Sequence, residues 1–259
     1  MNDNKMSILT YLAAAGDPNA MLEWADYYYY HQNKQDLSAD RFQTVFDYYT
    51  LSANAGNDHA MTALGSMYYE GINLSQDFRQ AKCWFEKAAE KGNAVAINYL
   101  GYCYYYGRDI PQDFERAYYF FCKAAQMGHH NGMYKLGDLY YNGHFVKKDP
   151  AIAFYWYHQA KNAVVATSPE YPNISYRLGH CYLTGDGVAK DLLLALEWLH
   201  TAESGCYRLI RKGDAYAELT LVRIKEDLET LRCQLDAPSD YRHADLGYHN
   251  PLKMPGSDA

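Results

Sequence analysis

The sequence predicts an all-α protein, an α-solenoid of stacked antiparallel helix pairs, and three observations predict it. Residues recur on a 36-residue ruler: Gly65, Gly101 and Gly137; Gly71, Gly107 and Gly143; Gly56, Gly92 and Gly128. Within each period the apolar residues fall at three- and four-residue steps, the spacing of one helix face. No β-rich stretch competes with that pattern. One such hairpin cannot bury its apolar faces alone, whereas stacked neighbours can.

The ruler extends to Leu64, Leu100 and Leu136, to Asp77, Asp113 and Asp149, to Ala81, Ala117 and Ala153, and to the aromatics Trp84, Phe120 and Trp156. Each unit resolves into two helices. In the copy at 94–129, AVAINYLGYCYYYG is the first, and Gly107 supplies the left-handed residue that ends it. Asp113 caps the second, FERAYYFFCKAAQMG, which stops at Gly128. The small residues Gly101 and Ala117 let the two helices approach.

The units are expected at 58–93, 94–129, 130–170 and 171–206. The third carries an insertion in KNAVVATSPEYPN, whose prolines fit a loop. A degenerate copy spans 19–57, with Ala25 where the others have glycine. Residues 6–18 resemble the tail of a second helix and are read as an N-terminal capping half-repeat. From 207 to 236, Ala217, Leu221, Ile224, Leu228, Leu231 and Leu235 alternate steps of four and three. That seam reads as a helix capping the last repeat; a dimer seam is the other reading, but it holds fewer than three heptads, so a monomer is favoured. Residues 237–259, with His243 and His249, read as a flexible tail.

Composition narrows the function. The chain has 259 residues, 49% of them hydrophobic, and a formal net charge of −7. An acidic chain lacks the basic face that grips nucleic acid or an anionic membrane. The start, MNDNKMSILTYLAAAGDP, does not read as a secretory signal, and no run reaches the ~18 apolar residues of a membrane span. The expectation is a cytoplasmic protein. Six cysteines without a CxxC pair read as buried, reduced thiols. There is no HExxH, GxSxG or GxxxxGK, and GHHNG at 128–132 places no third ligand, so neither an enzyme nor a metal or cofactor is expected.

The units carry a family pattern. ALGSMYYEGINLSQDFRQAKCWFEKAAEKGN at 63–93 resembles a Sel-1-like repeat, a branch of the tetratricopeptide superfamily, through Leu-Gly-x-x-Tyr, Gly, Asp and Ala-x-x-Trp-Phe-x-Lys-Ala-Ala-x-x-Gly. The units at 94–129 and 130–162 match nearly as well, and 171–206 through RLGHCYLTGDGVAKD and ALEWLHTAESG. The resemblance implies a non-enzymatic protein-interaction module: an adaptor or scaffold, a cytoplasmic immunity protein neutralising a bacterial toxin, or a secreted effector that binds host proteins. A hydrolytic enzyme is the remotest alternative.

The resemblance also sorts the 28 tyrosines. In the tetratricopeptide arrangement the first helix of each unit lines a concave face. The residue three after the repeat glycine packs inward, as Tyr28, Tyr68, Tyr104, Tyr140 and Tyr182. The residues three before it, one after it and four and five after it face the groove. These are Asp26, Tyr29, Tyr69, Asn98, Tyr102, Tyr105, Tyr106, Tyr134, Asp138, Tyr141, Asn142, Tyr176 and His180, which with Asn131 beside them make the candidate partner-binding set. Tyrosine offers large contact area at low entropic cost. The carboxylates among the rings suggest an acidic groove and a basic partner.

Overall fold

The computed structural model describes residues 3–31 and 37–236 as twelve α-helices in a linear stack, and no strand occurs among them. The proposed tail and most of the loop after Tyr30 lie outside the described residues. The helices are α1 (Asp3–Ala14), α2 (Pro18–Asp26), α3 (Ala39–Asn54), α4 (Asp58–Glu70), α5 (Phe78–Glu90), α6 (Ala94–Tyr106), α7 (Phe114–Gln126), α8 (His130–Asn142), α9 (Pro150–Ala163), α10 (Tyr171–Thr184), α11 (Leu192–Ile210) and α12 (Ala215–Asp236). Consecutive helices pack as pairs. None is long and apolar enough to cross a membrane.

The punctuation of the ruler produces the hairpins. Gly107 takes φ +65°, and its period mates Gly71 and Gly143 do the same, so each first helix ends in a left-handed cap. The aspartate six residues on opens the second helix. Asp77 Oδ1 accepts from the backbone N–H of Arg79 and Gln80, and Asp113, Asp149 and Asp191 do likewise in their units.

Gly101 matters for close approach. A Cβ there would stand 2.5 Å from the Phe121 ring, so the ring lies flat against bare backbone. Gly65 meets Phe85, Gly137 meets Tyr157, and Gly179 meets Leu199 in the same way. Around this contact Leu64, Leu100, Leu136 and Leu178, with Ala81, Ala117, Ala153 and Ala195, are buried along the stack.

Four local expectations are corrected. First, α2 runs into a π-helical turn, Tyr27–His31. The wider turn rotates the side chains, so Tyr29 is 1% exposed and meets Tyr49 edge-on instead of facing the groove. Second, α11 does not stop at Gly205, which stays helical because its bare Cα accommodates Pro172; the helix runs on to Ile210. Third, Cys83 and Cys233 are exposed, while Cys103, Cys181 and Cys206 are buried; all six cysteines are free. Fourth, the residues three after the glycine are only half-buried. The fully buried position is the one before them, as Met67, Cys103, Leu139 and Cys181.

The seam on α12 is occupied within the chain. Ala217, Leu221, Ile224 and Leu231 are buried against α10 and α11, and Leu228 is half-buried. Leu235 remains exposed. The opposite face of α12 carries Tyr216, Leu219 and Val222 in the open.

Candidate functional site

First helices approach first helices along the stack, α4 with α6 and α6 with α8, which puts them on the inside of the bend. Two register positions there differ from unit to unit. The residue two before the repeat glycine is Ala63, Tyr99, Lys135 and then Arg177. The residue one after it is Ser66, Tyr102, Asp138 and then His180. Three residues apart, the two positions share a helix face. Tyr99, Tyr102, Lys135, Asp138 and Arg177 among them open onto a groove of about 680 Å³ whose other wall is α12 with its preceding turn.

Asp138 is the centre of the groove floor, at 2% exposure. Its Oδ1 accepts from the Tyr157 hydroxyl at 3.0 Å, and its Oδ2 accepts from Lys135 Nζ at 3.1 Å. Arg177 Nε stands 3.0 Å from Oδ1, an ion pair out of line for a hydrogen bond. Tyr157 occupies the ruler position of Phe85 and Phe121, so the extra hydroxyl enters the core in the same unit as the carboxylate it serves. Lys135 Nζ also donates to the Tyr106 hydroxyl at 3.1 Å and lies 5.1–5.6 Å from the ring centres of Tyr102, Tyr105, Tyr106 and Tyr134.

Burial alone would push the Asp138 carboxyl up, but the charges of Lys135 and Arg177 outweigh it and hold the group below the usual carboxylate range. Burial works against both cations, and Asp138 with the surrounding tyrosines keeps them well above their ordinary values. All three groups are therefore charged. The Tyr105 hydroxyl is pushed up to about 12, first by burial and further by Asp138, and so stays a neutral hydroxyl.

A second polar chain ties α12 to the stack. His180 Nδ1 is 2.7 Å from Asp227 Oδ2 on α12, and its Nε2 is 3.1 Å from the Tyr141 hydroxyl. That hydroxyl donates to Asp186 at 2.9 Å, in the loop before α11. Thr220 on α12 donates to Asn173 Oδ1 at 2.9 Å.

Of the fourteen candidate residues, Tyr102, Tyr105, Tyr106, Asn131, Tyr134 and Asp138 line the groove together. Tyr69 lines the adjoining cleft, which reaches from α4 to the α11–α12 turn. The others are placed elsewhere. Tyr29 and Asn98 are buried at 1% exposure, and α12 covers Tyr176. Tyr141 and His180 belong to the chain that holds α12. Asn142 donates to the Asp138 carbonyl, and Asp26 accepts from the Tyr49 hydroxyl.

The acidic groove is also corrected. Its charged lining is balanced, Lys135, Arg177 and Arg223 against Asp138, Glu170 and Asp214. The carboxylates are engaged from within the chain. Glu170 lies 3.6 Å from His130 Nε2, and Asp214 accepts from the first N–H groups of α12. Sequence reasoning missed Tyr99, Lys135, Arg177 and the α12 wall. The ruler itself could have found the first three, since they share one register position.

The Sel1 repeat model matches residues 58–93, 94–129, 130–163 and 175–204, together more than half of the chain. A protective antigen of uropathogenic Escherichia coli with an SLR fold is 24% identical, with a TM-score of 0.63; it matches over 88% of this chain, which spans only about half (48%) of the antigen. A Sel1 repeat protein from Oxalobacter formigenes is 25% identical, with a TM-score of 0.63, over 85% of this chain and 89% of its own. An immunity protein from Pseudomonas aeruginosa is 17% identical, with a TM-score of 0.51, over 77% of this chain and 73% of its own. No curated protein matches by sequence.

Proposed function

The chain belongs to the Sel1 repeat family, a fold that serves in general as a non-catalytic protein-interaction scaffold, and from that premise we propose that it binds a protein partner in the groove between α6, α8, α10 and α12. The observation that carries this reading is the groove itself. Its rings and hydroxyls lie beside an exposed apolar row on α12, with Tyr216 at 78% and Leu219 at 65% exposure. Exposed aromatics next to fixed polar groups are the composition of a recognition surface. In this reading the protein is non-enzymatic and acts as a monomer, since the α12 seam that could pair two chains is used internally.

Within this class a scaffold and a toxin-neutralising immunity protein make the same use of the groove. They differ in what is captured. The test compares affinity capture from the native host by the wild-type chain, by a groove variant Tyr216→Ala/Leu219→Ala, and by a control Tyr119→Ala/Tyr155→Ala on the exposed faces of α7 and α9. One stoichiometric partner, lost with the groove variant and kept with the control, is the expected result. A toxin as that partner selects the immunity role. Equal capture by all three proteins overturns the reading.

A further inference from the structure

The groove floor has an unequal charge count. Lys135 and Arg177 face one carboxylate, and among the described residues Asp138 is the single acid within ion-pairing distance of either. Both Asp138 oxygens are already engaged. Glu170 is turned to His130, Asp214 to the start of α12, and Asp227 to His180. One positive charge is thus left over at a nearly buried place, with the Lys135 side chain at 10% exposure. Uncompensated buried charge is costly, and buried charges are as a rule paired.

Structure alone does not require the extra cation. An Arg177–Asp138 pair would be neutral without Lys135. In the preceding unit the same two positions are filled by Tyr99 and Tyr102, which pack ring to ring at 6.1 Å. The overall charge of −7 does not account for a cationic floor either, since it points the other way. Arg223 on α12 brings a third cation to the groove, beside the exposed Leu219.

We propose that the floor is a carboxylate subsite, in which Lys135, Arg177 and Arg223 receive an acidic side chain from a protein partner while Tyr216 and Leu219 hold its apolar neighbours. The proposal rests on the groove being the partner site and adds the sign of the charge it takes, the reverse of the sequence expectation. The Lys135 ammonium has a third N–H to donate beyond those given to Asp138 and Tyr106. The tyrosine rings around it keep water from screening the contact.

The test titrates the full chain with labelled hexaglutamate, hexaglutamine and hexalysine peptides and follows the ring NMR signals of Tyr106 and Tyr134. Hexaglutamate should shift those signals and bind about tenfold or more tighter than either other peptide. Lys135→Met keeps the neutral Asp138–Arg177 pair and should weaken hexaglutamate about tenfold or more. Arg223→Gln, an exposed change that leaves the fold intact, should weaken it several-fold. Absent or non-selective hexaglutamate binding, or unchanged binding by both variants, overturns the subsite. Hexalysine winning while it shifts Tyr106 and Tyr134 also overturns the subsite but leaves the groove as the partner site. Equal partner capture by the Tyr216→Ala/Leu219→Ala variant removes the groove itself.

Discussion

Helices α6 and α8 have the same length and register, yet their inner faces are built from different chemistry. In α6, Tyr99 stacks on Phe85 at 4.5 Å and Tyr102 meets Phe121 edge-on at 5.6 Å. In α8 the same positions are Lys135 and Asp138, and the ring behind them is Tyr157, whose hydroxyl reaches the carboxylate. The repeat needs its glycine, its leucine and the left-handed glycine that ends the helix, and both helices have them. It leaves the positions two before and one after the glycine open. Rings there fill space with modest specificity, about 0.5–1.5 kcal/mol per pair. Charges there are tolerated only if every partner is in place. An ionic floor in one unit of an otherwise aromatic wall is therefore where the proposed partner groove departs most from packing.

The comparison can be broken by removing one member from each floor. Asp138→Asn leaves Lys135 and Arg177 without a counter-ion and should cost about 3–5 kcal/mol. Tyr102→Phe in α6 keeps the ring and should cost less than about 1 kcal/mol. Equal shifts in the denaturation midpoints would mean that the ion cluster is no more demanding than the rings.

Next is the hydroxyl that accompanies the carboxylate. Tyr157→Phe removes a bond to a charged acceptor and should cost about 1.5–3 kcal/mol in urea unfolding. Phe121→Tyr introduces a buried hydroxyl where Asp138 has no counterpart and should also destabilise, by about 1–3 kcal/mol. A neutral Phe121→Tyr would show that the carboxylate is not what the hydroxyl needs.

Both units should respond alike where the repeat is strict. Gly101→Ala and Gly137→Ala each drive a methyl into a ring and should lower stability by about 1–3 kcal/mol. Thermal melts of the two variants test this, and an unchanged melting temperature in either would deny the close approach.

The smallest effect lies at the helix starts. Asn57 and Asn93 cap α4 and α6 with their side chains, but His129, at the same place before α8, makes no capping bond. His129→Asn should restore the cap and add about 1 kcal/mol. It should also flatten the acid limb of the stability curve. Burial, then the neighbouring His130, pushes the His129 imidazole from 6.5 down to about 4. Between those values the unfolded chain binds a proton that the folded chain refuses, so stability falls as pH drops from about 6.5 to about 4. Denaturation midpoints across that window should fall less steeply in the variant.

The periodic part of this molecule was legible in the sequence because it is local. Gly107 and Asp113 act on residues a few places away, and the close approach at Gly101 joins the two helices of one hairpin. The groove was only half legible. The chosen register positions identified Tyr102, Tyr106 and Asp138 but passed over the position that holds Tyr99, Lys135 and Arg177, where a lysine and an arginine follow one another in successive units. Asp138 read as a carboxylate that makes the groove acidic because its neutralising partners, Lys135 and Arg177, both lie in that overlooked position, the second of them in the next unit. Tyr29 was misplaced because nothing in YYYY distinguishes a π turn from an α turn. The seam of α12 was legible as a capping helix, but its groove-facing residues Tyr216, Leu219 and Arg223 carry no repeat register that would have placed them against α6 and α8.

The most direct test of the groove as the working surface is amide hydrogen exchange on the chain alone and with its captured partner. The account predicts new protection at the ends of α6, α8 and α10 that face the groove and along the Tyr216–Arg223 turns of α12, with α5, α7 and α9 unchanged. Protection confined to α5, α7 and α9, with α8 and α12 unaltered, would contradict it.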